Sequence, residues 1–304
     1  EASQLEASKS FTKNMCKHKK IPTGNYKVFS RVDDAKKFLR EQPTPYVIKA
    51  DGLAAGKGVL VSSDIEEADN FISSIFAGKI GTVKSKVIIE EYLEGKEMSV
   101  FFAIDTKTIK YIGSAQDYKR AFDHDRGPNT GGMGAFSPSP LLTKKILEKI
   151  LNKIIKPTVE YMKETGNEFS GILYAGLVLN NGEPKLIEYN VRFGDPECQA
   201  LCVRLGAQIF DIYFSGAKNE LSSLSINEAC DSAITVIVAE KGYPKNPRSD
   251  CELNDILDIK YNKALKIFHA GTYFENKFLR NAGGRIFSFT ARSKNHKEAR
   301  TIVY

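Results

Sequence analysis

In one stretch the apolar residues recur at helical spacing: Ile146, Leu147, Ile150, Leu151, Ile154 and Ile155 share one face of a 3.6-residue period. The pattern predicts a helix over 143–165, kinked or broken at Pro157, where a ring replaces the backbone N–H. Elsewhere the period shortens to two. Leu186, Glu188 and Asn190 share a face of a strand over 184–190. Residues 172–179 read as its partner across Asn180-Asn181-Gly182, a strong hairpin signal. Helices are also expected over 3–19, ending before Ile21-Pro22, and over 33–41. Another runs to Phe76 from a Ser63-Asp64 cap, with Glu66 and Glu67 in its first turn. Strands are expected at 26–29, 86–92 and 98–104, the last two around a turn at Glu94-Gly95-Lys96. Further on, a helix starts at Pro196 and runs to about Leu205, and a second covers 207–216. A strand at 233–239 and short strands near 266–274 and 284–290 complete the pattern. The character shifts after Ser222-Ser223, which puts a domain boundary near residue 225.

Two stretches break the patterning. Residues 113–140 are rich in Gly, Pro, Ser, Asp and Asn, show no period, and read as a long polar loop of the kind that often carries function. Positions 50–58 hold six glycines and alanines between Tyr46-Val47-Ile48 and Val59-Leu60-Val61. This is not a P-loop, since three residues separate Gly52 from Gly56, and Gly58 follows Lys57 where Ser or Thr should sit. Both flanks read as strands, so the stretch is a glycine-rich hairpin. Its N–H groups suit polyphosphate oxygens, with Lys49 just before it and Lys57 inside it. The plainer alternative is an ordinary hairpin tip.

With 304 residues, 42% hydrophobic and 27% charged, the chain has room for two globular domains. No apolar run is long enough to span a membrane, and the N-terminus has no signal-peptide pattern. Because the chain opens on Glu1, it reads as part of something longer. A net charge of +7 raises the question of nucleic acid, but the basic residues are dispersed and their densest cluster is Lys17-His18-Lys19-Lys20. A solvated basic surface is the expectation, with no nucleic-acid partner and no membrane. Five cysteines without a pairing pattern are expected to be reduced core thiols of a cytoplasmic protein. The four histidines are scattered, which argues against zinc.

Near the end of the 184–190 strand, Glu188 and Asn190 offer a carboxylate and an amide oxygen on one side, a donor pair that suits a hard cation such as Mg²⁺. Arg192 follows, placed to hold a phosphoryl group in flight. A partly buried Glu–Arg pair is the open alternative. Upstream, Glu90-Glu91-Tyr92-Leu93 at a strand end, with Glu97 beyond a turn, would seat an adenosine. There backbone groups would read the base and the acid would bind the ribose; simply solvated acids are the plainer alternative.

The order of these features resembles the ATP-grasp superfamily, and within it the phosphoribosylamine–glycine ligase family. The segments that carry the resemblance are QLEASKSFTK, VIKADGLAAGKGV, VIIEEYLEG, QDYKRAFDHDRGPNTGGMGAFSP, ILYAGLVL and IEYNVRFGDPECQ, then HAGT and NAGGR. The implied architecture is mixed α/β and α+β: an ATP-grasp fold of two α+β subdomains clasping ATP over 1–225, with a lid at about 23–95, and a small mostly-β domain over 226–304. The implied cofactors are ATP and Mg²⁺ or Mn²⁺. The implied reaction joins glycine to 5-phosphoribosylamine through an acyl phosphate.

By the same resemblance, Lys13 and Lys49 would meet the ATP phosphates under a lid formed by Gly52, Gly56, Lys57 and Gly58. Glu90, Glu91, Tyr92 and Leu93 would hold adenine, Glu97 the ribose, and Glu188 with Asn190 the metal. Arg192 and Lys119 would be catalytic. Asp117, Asn129, Thr130, Gly131, Gly132, Met133 and Asp195 would line the glycine and phosphoribosylamine site. Where many ATP-grasp enzymes place one more metal carboxylate, this chain has Ala175 and Gly176. The family's N-terminal domain, with its own phosphate-binding turn, is expected to precede this chain. The oligomeric state is left open, a monomer included. The rival readings are another ATP-grasp ligase of purine metabolism, a kinase-like phosphotransferase without the His-Arg-Asp and Asp-Phe-Gly runs, and a basic nucleic-acid module.

Overall fold

The computed structural model describes residues 2–54, 58–81, 86–124, 126–227, 229–253, 256, 259 and 262–304. The chain opens with α1 (Gln4–Ala7), α2 (Lys9–Lys19), β1 (Tyr26–Phe29), α3 (Val32–Leu39), β2 (Tyr46–Ala50), β3 (Val59–Ser62) and α4 (Ile65–Phe76). Then come β4 (Val87–Glu90), β5 (Lys96–Ile104), β6 (Ile109–Phe122), β7 (Arg126–Ser137), α5 (Lys144–Ile150) and α6 (Lys156–Glu164). It continues through β8 (Gly171–Asn180), β9 (Glu183–Asn190), α7 (Glu197–Leu205), α8 (Gln208–Ala217) and β10 (Ser232–Ala239). It closes with β11 (Leu265–His269), β12 (Thr272–Glu275), β13 (Phe278–Asn281), β14 (Arg285–Ser293) and α9 (His296–Val303). The chain divides into two compact units, one of Glu1–Met98, Ala103–Ile109 and Leu141–Arg192, the other of Ser99–Phe102, Lys110–Pro140 and Phe193–Tyr304.

In the first unit an antiparallel sheet runs in the order β1-β4-β2-β3. Strand alternation gives it two different faces. Ile48, Ala50, Val87 and Ile89 turn to one side and form a core with Ala35 and Leu39 of α3 and Ala68, Ile72 and Ile75 of α4. The positions between them, Lys49 and Glu90, belong to the other face. Asp64 caps α4 as its sequence predicts, accepting from the Glu66 and Glu67 N–H groups. The β2–β3 hairpin around the glycine stretch is present, with Lys49 opposite Val59.

The β8–β9 hairpin is also present, its turn made by Asn181 and Gly182 with φ of 50° and 76°. The helix over 3–19 is instead two, because Ser8 adopts an extended conformation and its side chain caps α2 by accepting from Phe11 N. The helix over 143–165 is not broken at Pro157. A π-helical turn at Leu151–Ile155 joins α5 to α6 and places Pro157 in the first turn of α6, where a missing N–H is tolerated.

In the second unit β6 pairs with β7, β7 with β10, β10 with β14, and β14 with β11, all antiparallel. β12 and β13 form a separate hairpin. Here the expectation of a long loop over 113–140 is overturned, because most of it is the β6–β7 hairpin. Its pairing, from Gln116↔Phe136 to Phe122↔Arg126, slips at two places between Tyr118 and Phe122. Each slip swaps faces, and the glycines bury no side chain, so the alternation that announces a strand is erased. β13 and α9 are also absent from the sequence reading. A capping box could have announced α9, since Asn295 Oδ1 accepts from Glu298 N at 2.9 Å and Asn295 Nδ2 donates to the Glu298 carboxylate at 3.2 Å. Of the cysteines, Cys16 is buried, Cys230 is exposed and the other three are intermediate, all free, so the expectation of core thiols holds for Cys16 alone.

Candidate functional site

The first unit gathers a compact ionic cluster. Lys49 on β2 stands diagonal to Glu90 on β4, since Val47 is the residue opposite Glu90. Lys13, on the buried face of α2, reaches the same carboxylate at 2.7 Å, and Lys49 Nζ meets its other oxygen. All three side chains are at most 5% exposed. Burial alone would raise the Glu90 pKa, but the Lys49 and Lys13 ammoniums and their hydrogen bonds outweigh it and hold the carboxyl below its usual range. Lys13 Nζ also donates to Thr23 Oγ1, which in turn donates to the Leu186 carbonyl of β9.

Sequence reading missed a second set of contacts beside this cluster. Lys9 lies four residues before Lys13, so both project from one face of α2. Its ammonium donates to the Ala50 and Gly52 carbonyls at 3.1 and 3.0 Å. Burial lowers the Lys9 pKa, and the Glu188 carboxylate opposes the drop. Asp51 accepts from Ser8 Oγ, Ser10 Oγ and Ser10 N. The root of the glycine stretch is thus tied to the start of α2. Gly52 has φ of 107°, and the Gly58 carbonyl accepts from Ala50 N at 2.8 Å. Gly56 and Lys57 lie outside the described residues.

At the end of β4, Glu91 N donates to Asn25 O, and the Glu91 carboxylate accepts from Asn25 N at 3.0 Å. Tyr92 and Glu97 are exposed and Leu93 is half-buried. On β9, Glu188 pairs with Gly176 and Asn190 with Tyr174, so the two side chains share a face. Gly176 has no side chain to cover Glu188. A carboxylate and an amide oxygen are hard donors, and their chemistry fits a divalent cation of the magnesium type. Among the described residues no group of three or more His, Cys, Asp or Glu side chains comes together as a metal site. Arg192 Nη2 donates to Asn190 Oδ1 at 3.3 Å, and its Nε donates to Glu6 Oε1 at 3.0 Å. Glu6 Oε2 accepts from Val191 N at 3.0 Å, so a carboxylate outside the expected set fixes the exit of β9.

The second unit brings together most of the remaining expected residues. Asp117 and Lys119 form an ion pair at 3.7 Å on β6. Asn129 pairs with Arg120 across the hairpin. Thr130 Oγ1 donates to Lys119 O at 2.8 Å and accepts from Gly132 N at 3.0 Å. Met133 follows, half-buried. Asp195 opens the turn into α7, its carboxylate accepting from Gln199 Nε2 at 3.0 Å and from Arg285 Nη2 at 2.9 Å.

A family model described as the ATP-grasp (A) domain of phosphoribosylglycinamide synthetase matches residues 7–198, and one described as its C domain matches residues 233–304. Over 303 residues the chain is 44% identical to a phosphoribosylamine–glycine ligase of Rhizobium meliloti, covering all of this chain and 71% of the relative. It is 44% identical over 309 residues to a chloroplastic phosphoribosylamine–glycine ligase of Arabidopsis thaliana, of which it spans 58%. A crystal structure of phosphoribosylamine–glycine ligase from Thermotoga maritima matches with a TM-score of 0.89 at 31% identity, covering all of this chain and 75% of that one. A biotin carboxylase domain from Hydrogenobacter thermophilus, solved with MgADP, shares the fold at 18% identity and a TM-score of 0.73, over 97% of this chain and 64% of that one.

Proposed function

The chain belongs to the phosphoribosylglycinamide synthetase family, and from that premise we infer how its own residues carry the reaction. It is an ATP-dependent ligase of purine biosynthesis, joining glycine to 5-phosphoribosylamine to give glycinamide ribonucleotide, ADP and phosphate. We propose that the glycine carboxylate attacks the γ-phosphorus of ATP, so that ADP leaves and glycyl phosphate forms. The amine of phosphoribosylamine then attacks the acyl carbon, and phosphate leaves with the bonding pair. Such chemistry needs positioning and charge neutralisation rather than a side-chain nucleophile.

In this reading Lys13 and Lys49 meet the ATP phosphates beneath Gly52, Gly56, Lys57 and Gly58. The backbone of Glu90–Leu93 reads adenine, and Glu97 binds the ribose. Glu188 and Asn190 would hold Mg²⁺ or Mn²⁺, which when bound would neutralise phosphate charge. Arg192 and Lys119 steady the transferring group. Asp117, Asn129, Thr130, Gly131, Gly132, Met133 and Asp195 line the glycine and phosphoribosylamine site. The domain division near residue 225 belongs to the same proposal. No described helix is long and apolar enough to cross a membrane, and we place the protein in the cytoplasm, acting on small molecules without nucleic acid.

The observation that carries the nucleotide reading is the convergence of Lys13 and Lys49 on one buried carboxylate beside the root of a glycine hairpin. Phosphate release from ATP, with glycine and phosphoribosylamine omitted in turn, tests the function. Release that ignores both omissions sinks the ligase reading in favour of a phosphotransferase or hydrolase. Glu188→Ala should weaken nucleotide binding in a way that depends on magnesium; unchanged affinity at every magnesium concentration removes the metal role.

A further inference from the structure

We propose that Arg285, assisted by Tyr243, is the positioning residue that holds Gly131, Gly132 and Asp195 in one working geometry. The proposal rests on the reading that gives those three residues to glycine and phosphoribosylamine. Arg285 lies in the NAGGR segment, to which no role has yet been given. Its Nη1 donates to the carbonyls of Gly131 at 2.9 Å, Gly132 at 3.4 Å and Asp195 at 2.8 Å, and its Nη2 donates to Asp195 Oδ2 at 2.9 Å. One guanidinium therefore bridges a strand of the β6–β7 hairpin and the turn into α7, segments far apart in the chain. A planar fork with fixed donor directions does this; a lysine ammonium does not.

Tyr243 completes the hold from another direction, its hydroxyl accepting from Gly131 N at 2.9 Å. With Thr130 Oγ1 accepting from Gly132 N, every backbone N–H and carbonyl of the two glycines has a partner. Segment and turn also touch directly. Gly132 has φ of +115°, and a Cβ there would lie 2.6 Å from Pro196 Cδ and 3.2 Å from Asp195 O. A displacement of either segment is thus passed to the other. On the far side of Asp195, Gln199 Nε2 donates to Oδ1 at 3.0 Å and is 3.3 Å from Ser288 Oγ, so both carboxylate oxygens are fixed. Arg285 is itself seated by strand pairing, opposite Ala239 of β10. None of these residues belongs to the Lys13–Glu90–Lys49 cluster, so their loss should be felt by glycine and phosphoribosylamine rather than by ATP.

The test is steady-state kinetics on the full-length protein carrying Arg285→Gln, Arg285→Lys, Tyr243→Phe or Asp195→Asn, with KM measured for all three substrates. Arg285→Gln should raise the KM for glycine or phosphoribosylamine at least about tenfold and leave that for ATP within about twofold. Arg285→Lys should recover little of this, and Tyr243→Phe should give a smaller rise in the same direction. The double variant Arg285→Gln/Asp195→Asn should cost less than the two single ones added together, because both remove the Arg285–Asp195 ion pair. If Asp195→Asn raises these KM values and Arg285→Gln does not, the positioning role is overturned while the substrate reading stands. If neither variant moves them, both fall together. Lower melting temperatures with all three KM values unchanged reduce Arg285 to a structural part and also overturn the proposal. Should Arg285→Gln fail to fold, Tyr243→Phe decides, and unaltered KM values in that variant overturn it.

Discussion

In the first unit, Glu90 meets two ammoniums, and all three side chains are at most 5% exposed. In the second, the Arg285 side chain is 21% exposed and its guanidinium is shared among three backbone carbonyls and one carboxylate. The two arrangements use charge for different ends. A buried ion carries a large desolvation penalty and is tolerated only with its counter-charge in place, so the lysine–carboxylate cluster stands or falls as a unit. A half-wet guanidinium on carbonyls is worth little through Coulomb attraction, but its donor directions fix where the chain runs. One arrangement stores charge in a dry place, to which the proposed function assigns the phosphate oxygens. The other fixes the path of β7 beside the turn into α7.

Four experiments would break or sharpen that contrast. The largest effect should follow Glu90→Ala, which leaves Lys13 and Lys49 facing each other without a counter-charge. A loss of about 3–5 kcal/mol is expected in denaturant unfolding. If the loss matches that of Arg285→Gln, burial does not distinguish the two sites.

Next come two glycines of opposite surroundings. At Gly132, alanine meets positive φ, which costs about 1–2 kcal/mol, and also Pro196 Cδ at 2.6 Å, which adds about 1–3 kcal/mol of overpacking. At Gly52, φ is +107° but nothing lies within 4 Å of an added Cβ, so only the first cost applies. Equal melting shifts for Gly132→Ala and Gly52→Ala would mean that this part of β7 is not held tightly against the turn into α7.

The third experiment uses pH. A carboxyl with a lowered pKa contributes stability that is fully present above the ordinary carboxylate range and lost as pH falls through its own lower value. The stability gap between the native protein and Glu90→Gln should therefore stay level from neutral pH down to that range and close below it. A gap that closes near neutral pH would show that Glu90 is not held ionised. The smallest effect belongs to Glu6→Gln. Its partner Arg192 is 58% exposed, so the ion pair should contribute at most about 1 kcal/mol to unfolding. A larger shift would place Arg192 among the buried ions and blur the contrast.

Legibility in the sequence followed how local each cause was. The β2–β3 and β8–β9 hairpins were readable because their turns and flanking strands announce themselves within a few residues. The helix after Asp64 was readable from its cap for the same reason. The β6–β7 hairpin was not, because its register slips and its glycines cancel the alternation. Lys13, Lys49 and Glu90 could each be singled out along the chain, but their meeting on one carboxylate is a product of sheet order and helix packing. Arg285, Tyr243, Glu6 and Lys9 were missed because each acts on a segment distant in sequence, and no spacing rule reports that. The extended Ser8 was hidden inside a good helical pattern.

That single extended residue has a further consequence, for which lengths of chain this fold tolerates. Within residues 6–13, Glu6 grips the exit of β9, Ser8 and Ser10 grip Asp51, Lys9 grips the Ala50 and Gly52 carbonyls, and Lys13 grips Glu90. One residue inserted into α2 between Ser10 and Lys13 would swing every later side chain by about 100° around the helix axis and advance it by about 1.5 Å. Lys13 would leave its carboxylate while Lys9 kept its carbonyls. The segment therefore behaves like a key whose teeth are cut for four separate locks, so that its count is as constrained as its letters. A one-residue insertion there should abolish nucleotide binding where a substitution at exposed Lys17 leaves it intact, and calorimetric titration with an ATP analogue would show the difference.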